Sequence, residues 1–248
     1  MAEQMRQVAR LFGDWPETII WTCLEGTMGD IYVDDSQLPQ SALALYVRQS
    51  FFGFLAGQPH RDLLKMCEGK DVIMVPQTQA WSDLIEETYP AGVYSFTRYA
   101  TKKNTVFDRG TLQEMVEDLP DSFELRQIDH ELYATCLTED WSRDLVANYA
   151  DAGQFVKLGL GYVILHKGQV VSGASSYASY SAGIEIEVDT REDYRGLGLA
   201  KACAAQLILA CLDRGLYPSW DAHTLTSLKL AEKLGYQLDR PYQAYEWR

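Results

Sequence analysis

Apolar and polar positions follow two rhythms along this chain, and the second half carries the cleaner of them. From Gly183, the stretch Ile184-Glu-Ile-Glu-Val-Asp-Thr190 alternates apolar with acidic or polar residues, the period of a strand with one buried face. Soon after it, Leu197 to Leu212 is apolar on nearly every side, which predicts a deeply packed helix. Gly215, following Arg214, is a stop signal for that helix. Upstream, Gly161–Leu165 and Val170–Tyr177 flank the turn His166-Lys-Gly-Gln169 and predict a hairpin. Ser122–Ile128 predicts a strand, and helical pattern follows from about Asp129 to Ala150. Downstream, Tyr217–Trp220 predicts a short strand, Ser227–Leu234 a small helix ending at Gly235, and Tyr242–Trp247 a final strand.

The first half is more mixed. Thr18–Leu24 and Asp30–Val33, on either side of Glu25-Gly-Thr-Met-Gly29, predict a hairpin. Ser41–Val47, after Pro39, predicts a short helix. Phe51–Leu55 and Val72–Val75 predict buried strands, and Tyr94–Tyr99 alternates like another. Trp81, Leu84 and Ile85 share one face of an amphipathic helix over Trp81–Glu87. The turn-like stretch Glu117–Ser122, with Pro120 in an acidic cluster, is the best boundary, giving domains of residues 1–119 and 120–248.

Composition narrows the function. The chain has 248 residues, 47% of them hydrophobic, enough for one large domain or two small ones with a real core. Lysine and arginine total 22 against 35 aspartates and glutamates, a net charge of -13. Such acidity repels nucleic-acid backbones and anionic membranes and suits a small cationic partner, although it also serves solubility. Cys23, Cys67, Cys136, Cys203 and Cys211 form no CxxC pair and no zinc spacing, so no metal is expected. Their odd number and apolar surroundings predict reduced, buried thiols in a cytoplasmic protein. The start, Met1–Arg6, has no apolar signal core, and no apolar run reaches membrane-spanning length.

The acidic strand runs into Arg195-Gly-Leu-Gly-Leu-Ala200, which fits Arg/Gln-x-x-Gly-x-Gly/Ala and opens onto the apolar helix. A helix start of this kind presents bare N–H groups and a positive dipole end, and its glycines let a diphosphate approach the backbone. The dinucleotide fingerprint G-x-G-x-x-G needs Gly or Ala where Lys201 stands, and the GK[ST] of a P-loop is absent. A plain helix start with incidental glycines is the remaining alternative.

The order hairpin, strand, glycine loop, helix, short strand and small helix resembles the GCN5-related N-acetyltransferase (GNAT) family over roughly residues 120–248. Ser227-Leu-Lys-Leu-Ala-Glu-Lys-Leu-Gly-Tyr236 is similar to that family's second conserved helix. Trp220-Asp-Ala222 together with Ala231-Glu-Lys-Leu-Gly-Tyr236 resembles, more narrowly, the zwittermicin A resistance acetyltransferases. The resemblance implies an α/β (α+β) fold for residues 120–248, a mixed, mostly antiparallel central sheet flanked by helices; the alternating strand and helix patterns of residues 1–119 suggest an N-terminal α/β subdomain, with a degenerate GNAT-like unit as one form of it. It implies acetyl-coenzyme A as cosubstrate. The pantetheine arm would lie on the backbone of Val188, Asp189 and Thr190. The diphosphate would lie on the N–H groups of Arg195, Gly196, Leu197, Gly198, Leu199, Ala200 and Lys201. Thr224 and Ser227 would contact the cofactor or, equally, cap the small helix.

The implied reaction is attack of a neutral amine on a thioester. It needs a base for the amine, a donor for the thioester oxygen and a proton for the leaving thiolate. Glu185 and Glu187 share the acidic strand face and are the candidate catalytic residues, with a solvated strand face as the plainer reading. The family's tyrosine acid falls at Ala231 and its asparagine at Thr224, so the acid is unassigned. Trp220 is expected to fill the core and His223 to be structural or exposed, while Tyr177 and Tyr180 are candidates to border the groove without a fixed place. An N-acetyltransferase for a small primary amine is the leading expectation. A non-catalytic module holding coenzyme A or an amine is the alternative.

Overall fold

In the computed structural model, which describes residues 3–47 and 51–248, the chain divides into two units. One comprises the chain up to Arg98 together with Pro241–Arg248, and the other is Tyr99–Arg240. The first unit begins with α1 (Glu3–Phe12), α2 (Thr18–Leu24), β1 (Asp30–Val33), β2 (Ser41–Val47) and β3 (Phe51–Gly57). It continues through α3 (Arg61–Lys65), β4 (Val72–Pro76) and α4 (Gln79–Thr88), and β5 (Val93–Thr101) carries the chain out of it. The second unit contains α5 (Arg109–Glu117), β6 (Phe123–Gln127), α6 (His130–Cys136), α7 (Asp140–Arg143) and α8 (Ala152–Leu158). Then come β7 (Gly161–His166), β8 (Gln169–Tyr180), β9 (Gly183–Thr190) and α9 (Leu199–Asp213). Last are β10 (Tyr217–Ser219), β11 (Asp221–Ala222) and α10 (Leu225–Lys233), before β12 (Leu238–Trp247) leads back to the first unit.

The first unit is built on a mixed sheet ordered β1-β2-β3-β4-β12-β5. β3 and β4 are parallel; β1 with β2, β2 with β3, and β4 with β12 are antiparallel. Trp81 and Ile85 of α4 are fully buried against Leu43, Leu55, Met74 and Tyr245, as the helical spacing predicts. Two expectations fail in this unit. Thr18–Leu24 is a helix and not a hairpin strand. It is buried at every position except Trp21, so no alternation marks its state, and Gly26 at φ +65° ends it. Ser41–Val47 is a strand and not a helix. It pairs with β1 on one edge and β3 on the other, and that pairing outweighs the helix preference of its Ala and Leu residues.

The second unit holds the better-read half. Its sheet runs β10-β9-β8-β7-β6, antiparallel throughout except for the β9–β10 pair. This is the mixed, mostly antiparallel sheet expected. The apolar helix α9 packs on it, and Cys203, Ala204, Ala205, Leu207 and Ile208 are fully buried. Ile184 and Ile186 join the same core, with Val188 packed against it. The expected boundary at 119/120 differs from the division at Arg98/Tyr99. Helix α5 precedes Pro120 yet packs on α9, and Phe107 and Leu112 sit in the core with Ile186. The helical stretch expected from Asp129 to Ala150 is also broken. Asp129 caps α6 by accepting from the Glu131 and Leu132 amides at 3.0 and 2.9 Å. The Ser142 hydroxyl donates to the Cys136 carbonyl at 2.8 Å, where α6 gives way to α7.

One feature of this unit positions the site. β10 pairs with β9 in parallel, Tyr217 opposite Gly183, Pro218 opposite Ile184 and Ser219 opposite Glu185. At Trp220 the chain leaves that sheet. Asp221 and Ala222 form β11 and pair with Ala100 and Tyr99 at the end of β5. The Trp220 carbonyl accepts from the Thr101 hydroxyl at 2.6 Å, which fixes the departure point. β9 runs on to Thr190 after its neighbour has turned away, leaving the last part of its edge open.

Candidate active site

The open edge of β9 is the backbone surface anticipated for Val188, Asp189 and Thr190. Residues of an antiparallel pair alternate between facing their partner strand and facing away. The Arg191 amide donates to the Val171 carbonyl of β8 at 3.0 Å. With Thr190 opposite Ser172 and Val188 opposite Ala174, that bond places the peptide groups of Val188 and Thr190 on the open side. Asp189, opposite Gly173, turns its peptide groups to β8 instead. Side-chain acceptors occupy the two open amides. Glu187 accepts from the Val188 amide at 3.2 Å, and Asp189 from the Thr190 amide at 2.6 Å. Arg195 folds back so that its Nε donates to the Thr190 carbonyl at 3.2 Å.

Burial sorts the strand's side chains. Ile184 and Ile186 are buried on the α9 side, as alternation predicts. The opposite face is only partly wet: Glu185 is 7% exposed, whereas Glu187 and Asp189 are half-buried. Glu185 therefore lies at the closed end of the edge beside Ser219, and Glu187 lies where the edge is open. Burial holds the Asp189 carboxyl above its ordinary value, against the downward pull of the Thr190 amide and Arg195, with Asp144 adding to the rise. The folded state thus holds this proton more tightly than the unfolded chain does, so the ionised carboxylate costs stability at neutral pH. Asp189→Asn is expected to raise the melting temperature at pH 7. The gain should vanish as pH falls through about 4, where the carboxyl protonates in both states. Equal melting temperatures at pH 7 would remove this assignment.

The glycine loop meets the end of the open edge. Gly196 and Gly198 sit at φ +82° and +81°, conformations that L residues adopt only with strain. A Cβ at either would meet no atom within 4 Å, so the space in front of the loop is clear. Gly198 is the N-cap of α9 and supplies no side-chain bond to the first turn. The amides of Leu199, Ala200 and Lys201 therefore face outward under a positive dipole end, with no acidic side chain in that turn. Leu199, 2% exposed, anchors the turn in the core, while Arg195, Gly196, Leu197 and Gly198 are exposed. These are the elements of an anion cradle made from backbone.

Other predicted residues fall into structural positions. The Thr224 hydroxyl accepts from the Ser227 amide at 3.2 Å and caps α10. The Ser227 hydroxyl and the Trp220 indole are 3.1 Å apart, the indole donating. Ala231 is fully buried in the core, with only a methyl group where a tyrosine acid was looked for. The Tyr236 hydroxyl, buried and held well above its usual range by that burial, donates to the Pro218 carbonyl at 2.6 Å. All five cysteines are free and buried, and burial pushes each thiol up to about 12, so none is a ready nucleophile. Of two side chains beside the closed end of the edge, Tyr177 was expected at the groove without a fixed place, and Lys103 was missed by sequence reasoning. Tyr177 is the extra residue at a register shift of β8 opposite Glu185 and Ile186, and bulges of this kind re-aim side chains. Lys103, in the loop after β5, donates to Ser219 Oγ at 2.6 Å. Lys103 lies in no local motif, because it is placed by contact between segments far apart in sequence.

The family model described as GNAT acetyltransferase matches residues 9–245. The crystal structure of a GCN5-related N-acetyltransferase-like protein from Streptococcus suis 89/1591 is 84% identical, covers 100% of both chains and superposes with a TM-score of 0.97. An uncharacterized N-acetyltransferase of Bacillus subtilis (strain 168), YdfB, is 27% identical over 243 residues, 92% of this chain and 89% of its own. A GCN5-related N-acetyltransferase from Kribbella flavida shares the fold at 13% identity, with a TM-score of 0.58 over 99% of this chain and 96% of that one.

Proposed function

The chain belongs to the GNAT acetyltransferase family and is an acetyl-coenzyme A-dependent N-acetyltransferase, and from that premise we propose how its own residues carry the reaction. The observation that carries the reading is the open edge of β9 ending at the uncapped start of α9. An amide-bearing arm laid along that edge takes the place of a neighbouring strand, bonding the peptide groups of Val188 and Thr190. Its diphosphate sits on the amides from Arg195 to Lys201. From Thr190 to Glu185 is five residue steps, roughly 16 Å of strand. The arm cannot run further, because β10 closes the edge at Ser219. The thioester therefore stops beside Glu185 and Ser219.

A protonated amine has no lone pair, so the acceptor must lose a proton before attack. Glu187 and Glu185 are the groups placed to take it, directly or through one water. Glu187 is the more accessible, and once the arm takes the Val188 amide its carboxylate is released for the amine. The acidity of this face selects a cationic acceptor and holds it beside the thioester. We assign the acceptor to small primary amines, with the zwittermicin A resistance type suggested by Trp220-Asp-Ala222 and Ala231–Tyr236. Nucleic acid and membrane surfaces are unsuited to a chain of net charge -13. Among the described residues no helix is long and apolar enough to cross a membrane. Free, buried thiols support a cytoplasmic setting.

A panel of primary amines with acetyl-coenzyme A, followed by release of free thiol, tests this reading. At least one small cationic amine is expected to speed thiol release well above the amine-free rate. Binding of coenzyme A with no acceleration by any amine would favour the non-catalytic alternative.

A further inference from the structure

The reaction proposed above expels a thiolate, and the positions where the family resemblance looks for an acid do not supply its proton. Ala231 offers a methyl group, Thr224 caps the helix, and the Tyr236 hydroxyl is given to Pro218. Ser219 stands differently. It is the last residue of β10 to pair with β9, it is 2% exposed, and its register partner is Glu185. Register partners project from the same face of a sheet, so the Ser219 hydroxyl lies on the face that carries the acidic residues. Lys103, half-buried, reaches in and donates to Ser219 Oγ at 2.6 Å. A serine oxygen that accepts from an ammonium keeps its own hydrogen to donate. The segment that delivers Lys103 is tied to β10 on both sides of Ser219. The Tyr217 hydroxyl donates to the Lys102 carbonyl at 2.8 Å, and the Thr101 hydroxyl to the Trp220 carbonyl at 2.6 Å. A flexible lysine is thereby held at one buried point, the point where the open edge ends.

We infer that Ser219 protonates the departing coenzyme A thiolate, with Lys103 positioning it and restoring its proton. As the amine nitrogen bonds to the carbonyl carbon, the C–S bond breaks and its electron pair goes to sulfur. The sulfur takes the Ser219 hydroxyl proton, and the Ser219 oxygen takes one from the Lys103 ammonium. Neutral Lys103 then regains a proton from water, and the proton lost by the amine leaves through the carboxylates. The inference rests on the coenzyme reading above and assigns the step that reading leaves open. Glu185 is the register partner of Ser219 on β9, and the Tyr217 hydroxyl bonds the carbonyl of Lys102 beside Lys103.

Bound coenzyme A itself is the probe, because a donor built for its thiolate must ease its ionisation. The ultraviolet thiolate absorbance of coenzyme A is titrated against pH, free and saturated with protein. The bound thiol is expected to ionise about one pH unit below the free one in the wild-type complex. Lys103→Met should abolish that shift, Ser219→Ala should reduce it, and Lys103→Arg, which keeps the charge, should retain most of it. Coenzyme affinity by calorimetry should stay within about twofold in all three, whereas turnover falls roughly tenfold or more in Ser219→Ala and Lys103→Met. A wild-type bound thiol that titrates like free coenzyme A overturns the inference. So does a shift that survives in both Lys103→Met and Ser219→Ala. Failure of the wild-type protein to bind coenzyme A is a distinct result and would overturn the coenzyme reading itself.

Discussion

Gly198→Trp is expected to abolish acetyl-coenzyme A binding while the protein stays folded. Gly198 sits at φ +81° as the N-cap of α9, and a Cβ there meets no protein atom within 4 Å. The substitution therefore costs the fold only the strain of a left-handed L residue, about 1–2 kcal/mol. The indole projects into the clear space in front of the loop, where the diphosphate lies if it rests on the amides of Leu199, Ala200 and Lys201. Those charge-assisted bonds are lost together. Affinity by calorimetry should fall at least about 100-fold, equivalent to ~2.7 kcal/mol. Circular dichroism should remain that of the wild type. Gly198→Ala, which adds a single methyl group to the same space, should lose less. Unchanged affinity in Gly198→Trp would put the diphosphate elsewhere.

Glu187→Gln is expected to lower turnover by roughly 100-fold at neutral pH while coenzyme affinity is retained, the usual scale for removing a positioned base. The amide side chain keeps the size of the carboxylate and an acceptor for the Val188 amide, so the strand edge is preserved. It cannot take the amine's proton. Raising the pH should recover part of the rate, because a larger fraction of the amine is then already neutral. Glu185→Gln separates the two carboxylates. Glu185 is buried at the closed end of the edge beside Ser219, so its loss should lower the rate less than that of Glu187. Full activity in both variants would take the carboxylates out of the chemistry.

The second unit was largely legible because its signals are local. The alternation of Ile184 to Thr190, the apolar run of α9, and the glycines at 196, 198, 215 and 235 all act through nearest neighbours in the chain. The first unit was less legible because two of its elements are buried at nearly every described position. Thr18–Leu24 and Ser41–Val47 are short apolar runs with no face left polar, and such runs fit helix or strand equally until their partners are known. Pro120 marks a turn but not a boundary, since α5 before it joins the core beyond it. The return of β12 to β4 is a pairing between segments far apart in sequence. At the site, the sequence indicated the loop, the acidic face and the backbone of Val188 to Thr190. It did not indicate which peptide groups face outward, or that Lys103 reaches Ser219. Both depend on β10 leaving β9 at Trp220 to pair with β5, a change of sheet that no local pattern encodes.

The central claim is that coenzyme A lies along the open edge of β9 with its diphosphate at the start of α9. Backbone amide resonances followed by NMR during a coenzyme A titration test it most directly. The amides of Val188, Thr190 and Gly196 to Lys201 should shift together and saturate at one ligand per chain. The Asp189 amide, turned toward β8, should move less than its two neighbours. Saturable shifts confined to other residues, with Val188, Thr190 and the loop unmoved, would contradict it.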